Sequence, residues 1–288
     1  MKTRIITAAV GLVLLAGLLC LFDTILFDIV VSAICILAIH EVYSAMGLRG
    51  RWGIYLPFVP FTLLIMLSNS LRVRAAVLPL AFLFALYLCV YVILQHGQVE
   101  FVKLGGLVFF SGVILLCFYS LIYLKRLLPS EQYQGDAVYF ILLILCFAWG
   151  GDTAAYFAGR LFGKHKLAPV VSPNKTVEGA VGGVLGSVAL GLALTAVYTA
   201  VSQRLDIFTK SRAGVLLYVI LALLAAVASV LGILGDLFAS AVKRQCGVKD
   251  YGTIFPGHGG ILDRFDSVMF IAPFVTIVLT FVFYHFRS

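Results

Sequence analysis

The residues best equipped for chemistry lie between Ser240 and Asp266. Three bases, Lys243, Arg244 and Lys249, precede a glycine-rich turn, Pro256-Gly257-His258-Gly259-Gly260, which runs into Asp263-Arg264-Phe265-Asp266. Clustered bases neutralise phosphate, and a glycine-rich turn lets backbone N–H groups approach it closely. Carboxylates are hard oxygen donors for Mg²⁺, which commonly binds through one or two of them together with substrate phosphates. Bases, glycines and acids in one stretch are the equipment of phosphoryl or nucleotidyl transfer. A basic loop that only fixed membrane topology would need neither the glycines nor the acids.

A second polar stretch runs Gly159-Arg160-Leu161-Phe162-Gly163-Lys164-His165-Lys166 and then Ser172-Pro173-Asn174-Lys175-Thr176-Val177-Glu178-Gly179. Lys175-Thr176 has the ending of a P-loop, but the first glycine and preceding strand of that motif are missing, which excludes an ATPase of that class. Ser172-Pro173 is expected to cap or start a helix with Thr176 and Glu178 in its first turn. The amino end of such a helix attracts an anion. Two further acids fall inside apolar runs: Asp152 after Trp149-Gly150-Gly151, and Asp236 in Leu234-Gly235-Asp236-Leu237. A carboxylate within a membrane helix costs roughly 2.5–3.5 kcal/mol, so such residues line a site or cavity unless they snorkel to the interface. Glu41, beside His40, could face the site or the lipid interface, and the interface is the expectation. Asp23, Asp28, Glu100, Glu131, Asp136 and Asp206 are expected as solvated turns or helix caps.

The elements that must hold these residues are membrane helices. Of 288 residues, 62% are apolar and only 12% charged, about half the charge of a soluble domain. That composition excludes a disordered chain, a coiled coil and a water-soluble enzyme. A crossing needs ~20 apolar residues, and nine apolar segments stand out, near 5–22, 25–46, 54–70, 75–95, 104–124, 137–158, 177–201, 213–237 and 267–286. They are too long and continuous for a β-barrel. The fold expected is an all-α polytopic membrane protein of about nine helices, with amino-terminal transmembrane helices over 1–130 and a catalytic region over 131–288. The first apolar run ends in Leu-Leu-Cys-Leu-Phe, without a small-x-small cleavage site, and is read as a retained helix. Five of six cysteines fall inside apolar runs and Cys246 has no CxxC partner, so neither a disulfide framework nor a zinc site is indicated. The net charge of +8 reflects topology rather than nucleic acid. With the amino terminus inside, 13 of the 21 Lys and Arg fall on the inner side together with both long polar loops, 159–176 and 238–266.

The run Ser240-x-Val242-Lys243-Arg244, four residues, Lys249-Asp250-x-Gly252, then Phe255-Pro256-x-His258-Gly259-Gly260-Ile261-x-Asp263-Arg264-Phe265-Asp266 resembles the signature of the phosphatidate cytidylyltransferase (CDP-diacylglycerol synthase) family, with every defining position filled. The blocks Ser172–Gly179 and Gly151-Asp152-Thr153-Ala154-Ala155-Tyr156 are similar to the family's other recurrent segments. The first 130 residues match through length and hydropathy only.

The resemblance implies a bacterial-type enzyme of phospholipid biosynthesis that converts CTP and phosphatidate to CDP-diacylglycerol and pyrophosphate. It implies a multi-pass homodimer in the cytoplasmic (inner) membrane, with its active site on the cytoplasmic side, and dependence on Mg²⁺. By the family's metal-binding acids, Asp236 and Asp263 become the expected metal ligands, with Asp266 and Asp152 as further candidates and a second cation left open. Lys243, Arg244, Lys249 and Arg264 join them as candidate catalytic residues that hold phosphates. Ser172, Asn174, Lys175, Thr176, Glu178, His258, Gly259 and Gly260 are the expected substrate contacts. Two readings compete. A CTP-dependent polyprenol or phytol-type lipid kinase would release CDP instead of forming a CDP-lipid. A secondary transporter would place its polar residues at midplane in paired broken helices, whereas here they gather at one end of the bundle and in its loops.

Overall fold

The computed structural model describes residues 2–133, 135–202, 214–257 and 259–286. In chain order the elements are α1 Lys2–Cys20, α2 Ile25–Ala45, α3 Trp52–Tyr55, α4 Phe58–Leu67, α5 Val77–Leu94, α6 Phe101–Leu127, α7 Ser130–Tyr133, α8 Asp136–Leu145, α9 Gly151–Phe162, β1 Lys166–Ala168, β2 Ser172–Thr176, α10 Val177–Ser202, α11 Gly214–Gln245, α12 Leu262–Phe265 and α13 Val268–Phe286. Among the described residues the fold is nearly all-α, with one antiparallel hairpin, β1–β2. Among the described residues six helical stretches are long and apolar enough to cross a membrane: Ile25–Ala45, Arg74–Leu94, Phe101–Leu127, Asp136–Phe162, Val177–Ser202 and Val215–Gln245. Shorter apolar helices cover Ile6–Cys20, Trp52–Leu67 and Val268–Tyr284. The run near 54–70 is split at Pro57, between α3 and α4, where no N–H is available to continue the ladder.

Two compact units form, Met1–Ile122 with Gln245–Arg264, and Tyr123–Arg244 with Phe265–Ser288. In the first, Cys35, Ala38 and Val42 of α2 are buried with Ile54, Met66 and Leu107. Asp28 is buried too, accepting a hydrogen bond from the Ser70 hydroxyl. In the second, Asp136 is buried under the Tyr198 hydroxyl, which donates to its Oδ1 at 2.9 Å. These two acids are therefore interior partners rather than the solvated caps expected; Asp206 lies outside the described residues.

The second unit is built around close helix approach. The buried residues of α10 are Gly179, Gly183, Ser187, Gly191 and Thr195, a stripe of small side chains at every fourth position, the pattern that lets membrane helices pack closely. On the adjoining face a Cβ at Gly182 would stand 2.2 Å from the Cβ of Ala158 of α9. Within the run 137–158 the α-helix widens into a single π-helical turn, Cys146–Gly150, ending just before Asp152. Such turns cost regular hydrogen bonding and gather at functional sites.

Two expected boundaries are corrected. The polar stretch from 238 does not begin as a loop, because α11 runs on to Gln245 and stops where Gly247 adopts φ +70°, the left-handed stop that favours glycine. Ser172-Pro173 does not start a helix either. It lies in β2, and α10 begins at Val177. Thr176 supplies the cap, its Oγ1 accepting the Gly179 N–H at 3.1 Å, the bond a helix start requires three residues on.

Candidate active site

In the second unit, three carboxylates come from three elements. Asp236 projects from α11 on the face shared by Ser240 and Lys243, four and seven residues on, as the helical repeat dictates. The Ser240 hydroxyl donates to Asp236 Oδ1 at 3.2 Å, and the Lys175 ammonium forms an ion pair with Asp236 Oδ2. Asp152 lies in the first turn of α9, two residues past the end of the π-helical turn. Asp266 precedes α13. Ser267 ties two of them together: its N–H donates to Asp266 Oδ1 at 2.9 Å and its hydroxyl to Asp152 Oδ2 at 2.8 Å. Desolvation, then the negative charges of Asp236 and Asp152, push the Asp266 carboxyl up to about 8, against the opposing pull of Lys243 and the Ser267 N–H. Neighbouring like charges resist joint ionisation. A small cavity lined by Gly151, Asp152, Ser229, Gly232 and Ser267 adjoins them.

The hairpin presents Lys175 and is fastened at its base by Glu178. That carboxylate accepts the Lys164 N–H at 3.0 Å and the His165 N–H at 3.2 Å, and pairs with His165 Nδ1 at 2.6 Å. Asn174 is exposed on β2 and Ser172 half-buried. Of the α11 bases, Arg244 is exposed and Lys243 half-buried.

The glycine-rich turn belongs to the first unit. Gly257 and Gly259 adopt φ +78° and +83°, a conformation that only glycine enters without strain. Phe255 and Gly259 pair across the turn, the Phe255 N–H donating to the Gly259 carbonyl at 2.9 Å. Asp263 is buried, and its Oδ2 accepts the N–H groups of Tyr251 and Gly260, both at 2.9 Å. Lys249 and Arg264 are exposed. His258 lies outside the described residues.

A family model described as "Cytidylyltransferase family" matches residues 2–282. The chain belongs to this family. A protein of Staphylococcus saprophyticus named phosphatidate cytidylyltransferase is 35% identical over 97% of this chain and 99% of its own length. One of the same name from Staphylococcus aureus is 34% identical over the same shares of the two chains. A third, from Bacillus subtilis, is 38% identical over 67% of this chain and 65% of its own.

Mg²⁺, implied for the family, fits the donor set of the second unit. Among the described residues no three acidic, histidine or cysteine side chains close into a ready-made cage. The charges of Asp236 and Asp152 nevertheless act on the Asp266 carboxyl. That suits an ion that takes one or two carboxylates and completes its shell with phosphates and water. Two residues escaped sequence reasoning. Ser267 follows the signature by one position and carried no charge to mark it. Glu41 was expected at the lipid interface, but it is buried, with both oxygens on backbone N–H groups of Ile261 and Leu262.

Proposed function

We propose that this protein transfers the cytidylyl group of CTP to phosphatidate, giving CDP-diacylglycerol and pyrophosphate. The observation that carries this reading is the gathering of Asp152, Asp236 and Asp266 with Lys175 and Lys243 in a chain the cytidylyltransferase model matches over nearly its whole length. The relatives' names supply the lipid substrate. Phosphatidate is already an anion at neutral pH, so its phosphate oxygen attacks the α-phosphorus of CTP without a base from the chain. Pyrophosphate leaves in line. The work left to the protein is positioning and charge neutralisation. Lys175, oriented by its ion pair with Asp236, and Lys243 and Arg244 on α11 draw in the triphosphate. Ser267 keeps Asp152 and Asp266 fixed while charge shifts. Mg²⁺ held by Asp236 with Asp266 or Asp152 would neutralise the phosphates it joins. Lys249 and Arg264 are assigned to phosphate by the signature, and Ser172, Asn174, Thr176, His258, Gly259 and Gly260 to substrate by the same resemblance. Glu178 serves the substrate indirectly, through the hairpin that it fastens.

The membrane arrangement proposed has all nine apolar segments embedded in the inner membrane, a homodimer as the working form, and residues 159–176 and 238–266 facing the cytoplasm, where CTP is found. The Lys and Arg distribution supports that orientation. Cysteines placed at 165 and 247 should resist an impermeant reagent added from outside, and labelling of both would reverse it. The reaction is tested with purified protein in detergent, phosphatidate, Mg²⁺ and CTP labelled at the α-phosphorus. Label should move into lipid with release of unlabelled pyrophosphate. Label retained in CDP would identify a lipid kinase instead.

A further inference from the structure

Glu41 lies near the end of α2, 4% exposed, and its carboxylate faces backbone. Oε1 accepts the Ile261 N–H and Oε2 the Leu262 N–H, both at 2.9 Å, across some 220 residues of sequence. The carboxylate also fills the space that side chains at two signature glycines would need. A Cβ built at Gly252 would stand 2.3 Å from Glu41 Oε1, and one at Gly260 would stand 2.4 Å from it. Asp263 holds the same loop through Tyr251 and Gly260, and the Tyr251 ring is anchored against Phe110 with centroids 5.8 Å apart. Tyr251, Gly260, Ile261 and Leu262 are thus fastened to two carboxylates through four backbone donors. Bonds from N–H to an ionised acceptor are about twice as strong as neutral ones. A carboxylate buried without them would be costly.

We infer that Glu41 is a positioning residue for the signature loop. By holding Ile261 and Leu262 it sets the course of the glycine-rich turn, and with it the placement of Lys249 before the turn and Arg264 after it. The inference rests on the cytidylyl-transfer reading for its catalytic consequence, but the fastening itself can be read without turnover. In Glu41→Gln one oxygen becomes an NH₂ group, so one of the two N–H donors meets a donor in place of an acceptor.

The test compares wild type, Glu41→Gln, Gly252→Ala and the double variant Glu41→Asp/Gly252→Ala in two readouts. Hydrogen exchange at Ile261 and Leu262 should speed up in Glu41→Gln by about tenfold or more, as expected for a lost charge-assisted bond. The KM for CTP should rise about tenfold while the KM for phosphatidate stays near its wild-type value, a split that general destabilisation does not produce. Gly252→Ala should show the same split. Glu41→Asp, which withdraws the carboxylate by one methylene, should partly restore Gly252→Ala, as coupled neighbours do. Unchanged exchange in Glu41→Gln, or faster exchange with unchanged kinetics, would overturn the inference. So would equal loss in both KM values. If Glu41→Gln fails to fold, Gly252→Ala and its rescue decide the matter. Wild-type protein that makes no CDP-lipid would defeat the functional reading and the role drawn from it, while exchange would still report whether Glu41 fastens the loop.

Discussion

The two units use carboxylates in opposite ways. In the first, Glu41 and Asp263 are buried and committed to backbone N–H donors; their negative charge is matched within the protein. In the second, desolvation and then the negative charges of Asp236 and Asp152 hold the Asp266 carboxyl near 8. The first pair shapes a loop. The second group gathers three carboxylates around Lys175, Lys243 and the Ser267 donors, oxygen donors of the kind Mg²⁺ takes together with phosphates. The difference lies in what surrounds each acid: backbone N–H donors for Glu41 and Asp263, and ammonium and hydroxyl groups for Asp236 and Asp152.

The largest expected effect follows from removing charge in the second unit. Asp236→Asn preserves shape and membrane insertion and should lower kcat by about a thousandfold or more, since it removes both a cation ligand and the partner of Lys175. The double variant with Asp266→Asn should be hardly worse than either single one, because groups acting as a unit are non-additive. Additive losses in steady-state assays would separate the two acids and break the comparison. Asp263→Asn should act through the loop. Its amide retains one acceptor for the Tyr251 and Gly260 N–H groups, so activity should fall less, by about ten- to a hundredfold, with a lower unfolding temperature. Next, Lys175→Ala should raise the KM for CTP about tenfold by deleting one cation near the triphosphate, with the KM for phosphatidate little changed. The smallest catalytic effect belongs to packing. Gly182→Val places side-chain atoms where Ala158 already sits, and should cost about 1–3 kcal/mol of stability, read as a lower unfolding temperature in detergent, before it costs turnover. Arg49→Ala, exposed between α2 and α3, is the control and should keep wild-type kinetics.

Much of this was legible in the residues. Hydropathy marked the six helical stretches that are long and apolar enough to cross a membrane among the described residues, and Asp152 and Asp236 stood out because a charge inside an apolar run demands a reason. The hairpin was hidden, because Ser-Pro reads as a helix start and only pairing across Lys166 and Thr176 makes it a strand. The reach of α11 to Gln245 was hidden as well, since polar residues after 238 suggested a loop where the helix only changes face. The fourfold stripe of small residues in α10 was present in the sequence, a signal that small-x-x-x-small spacing would have caught. Glu41 stood out beside His40, but its partners were hidden: they are backbone N–H groups some 220 residues away, and a backbone donor leaves no mark in sequence.

The contrast between the two groups of acids is tested most directly by Mg²⁺ activation curves for wild type, Asp236→Asn and Asp263→Asn, with CTP and phosphatidate saturating. If the second unit holds the cation and the first only shapes the loop, the Mg²⁺ concentration for half-maximal rate rises about tenfold or more in Asp236→Asn, or residual activity loses its Mg²⁺ dependence. In Asp263→Asn that concentration stays at the wild-type value while the maximal rate drops. A shift in Asp263→Asn as large as that in Asp236→Asn would contradict the account and make Asp263 a metal ligand.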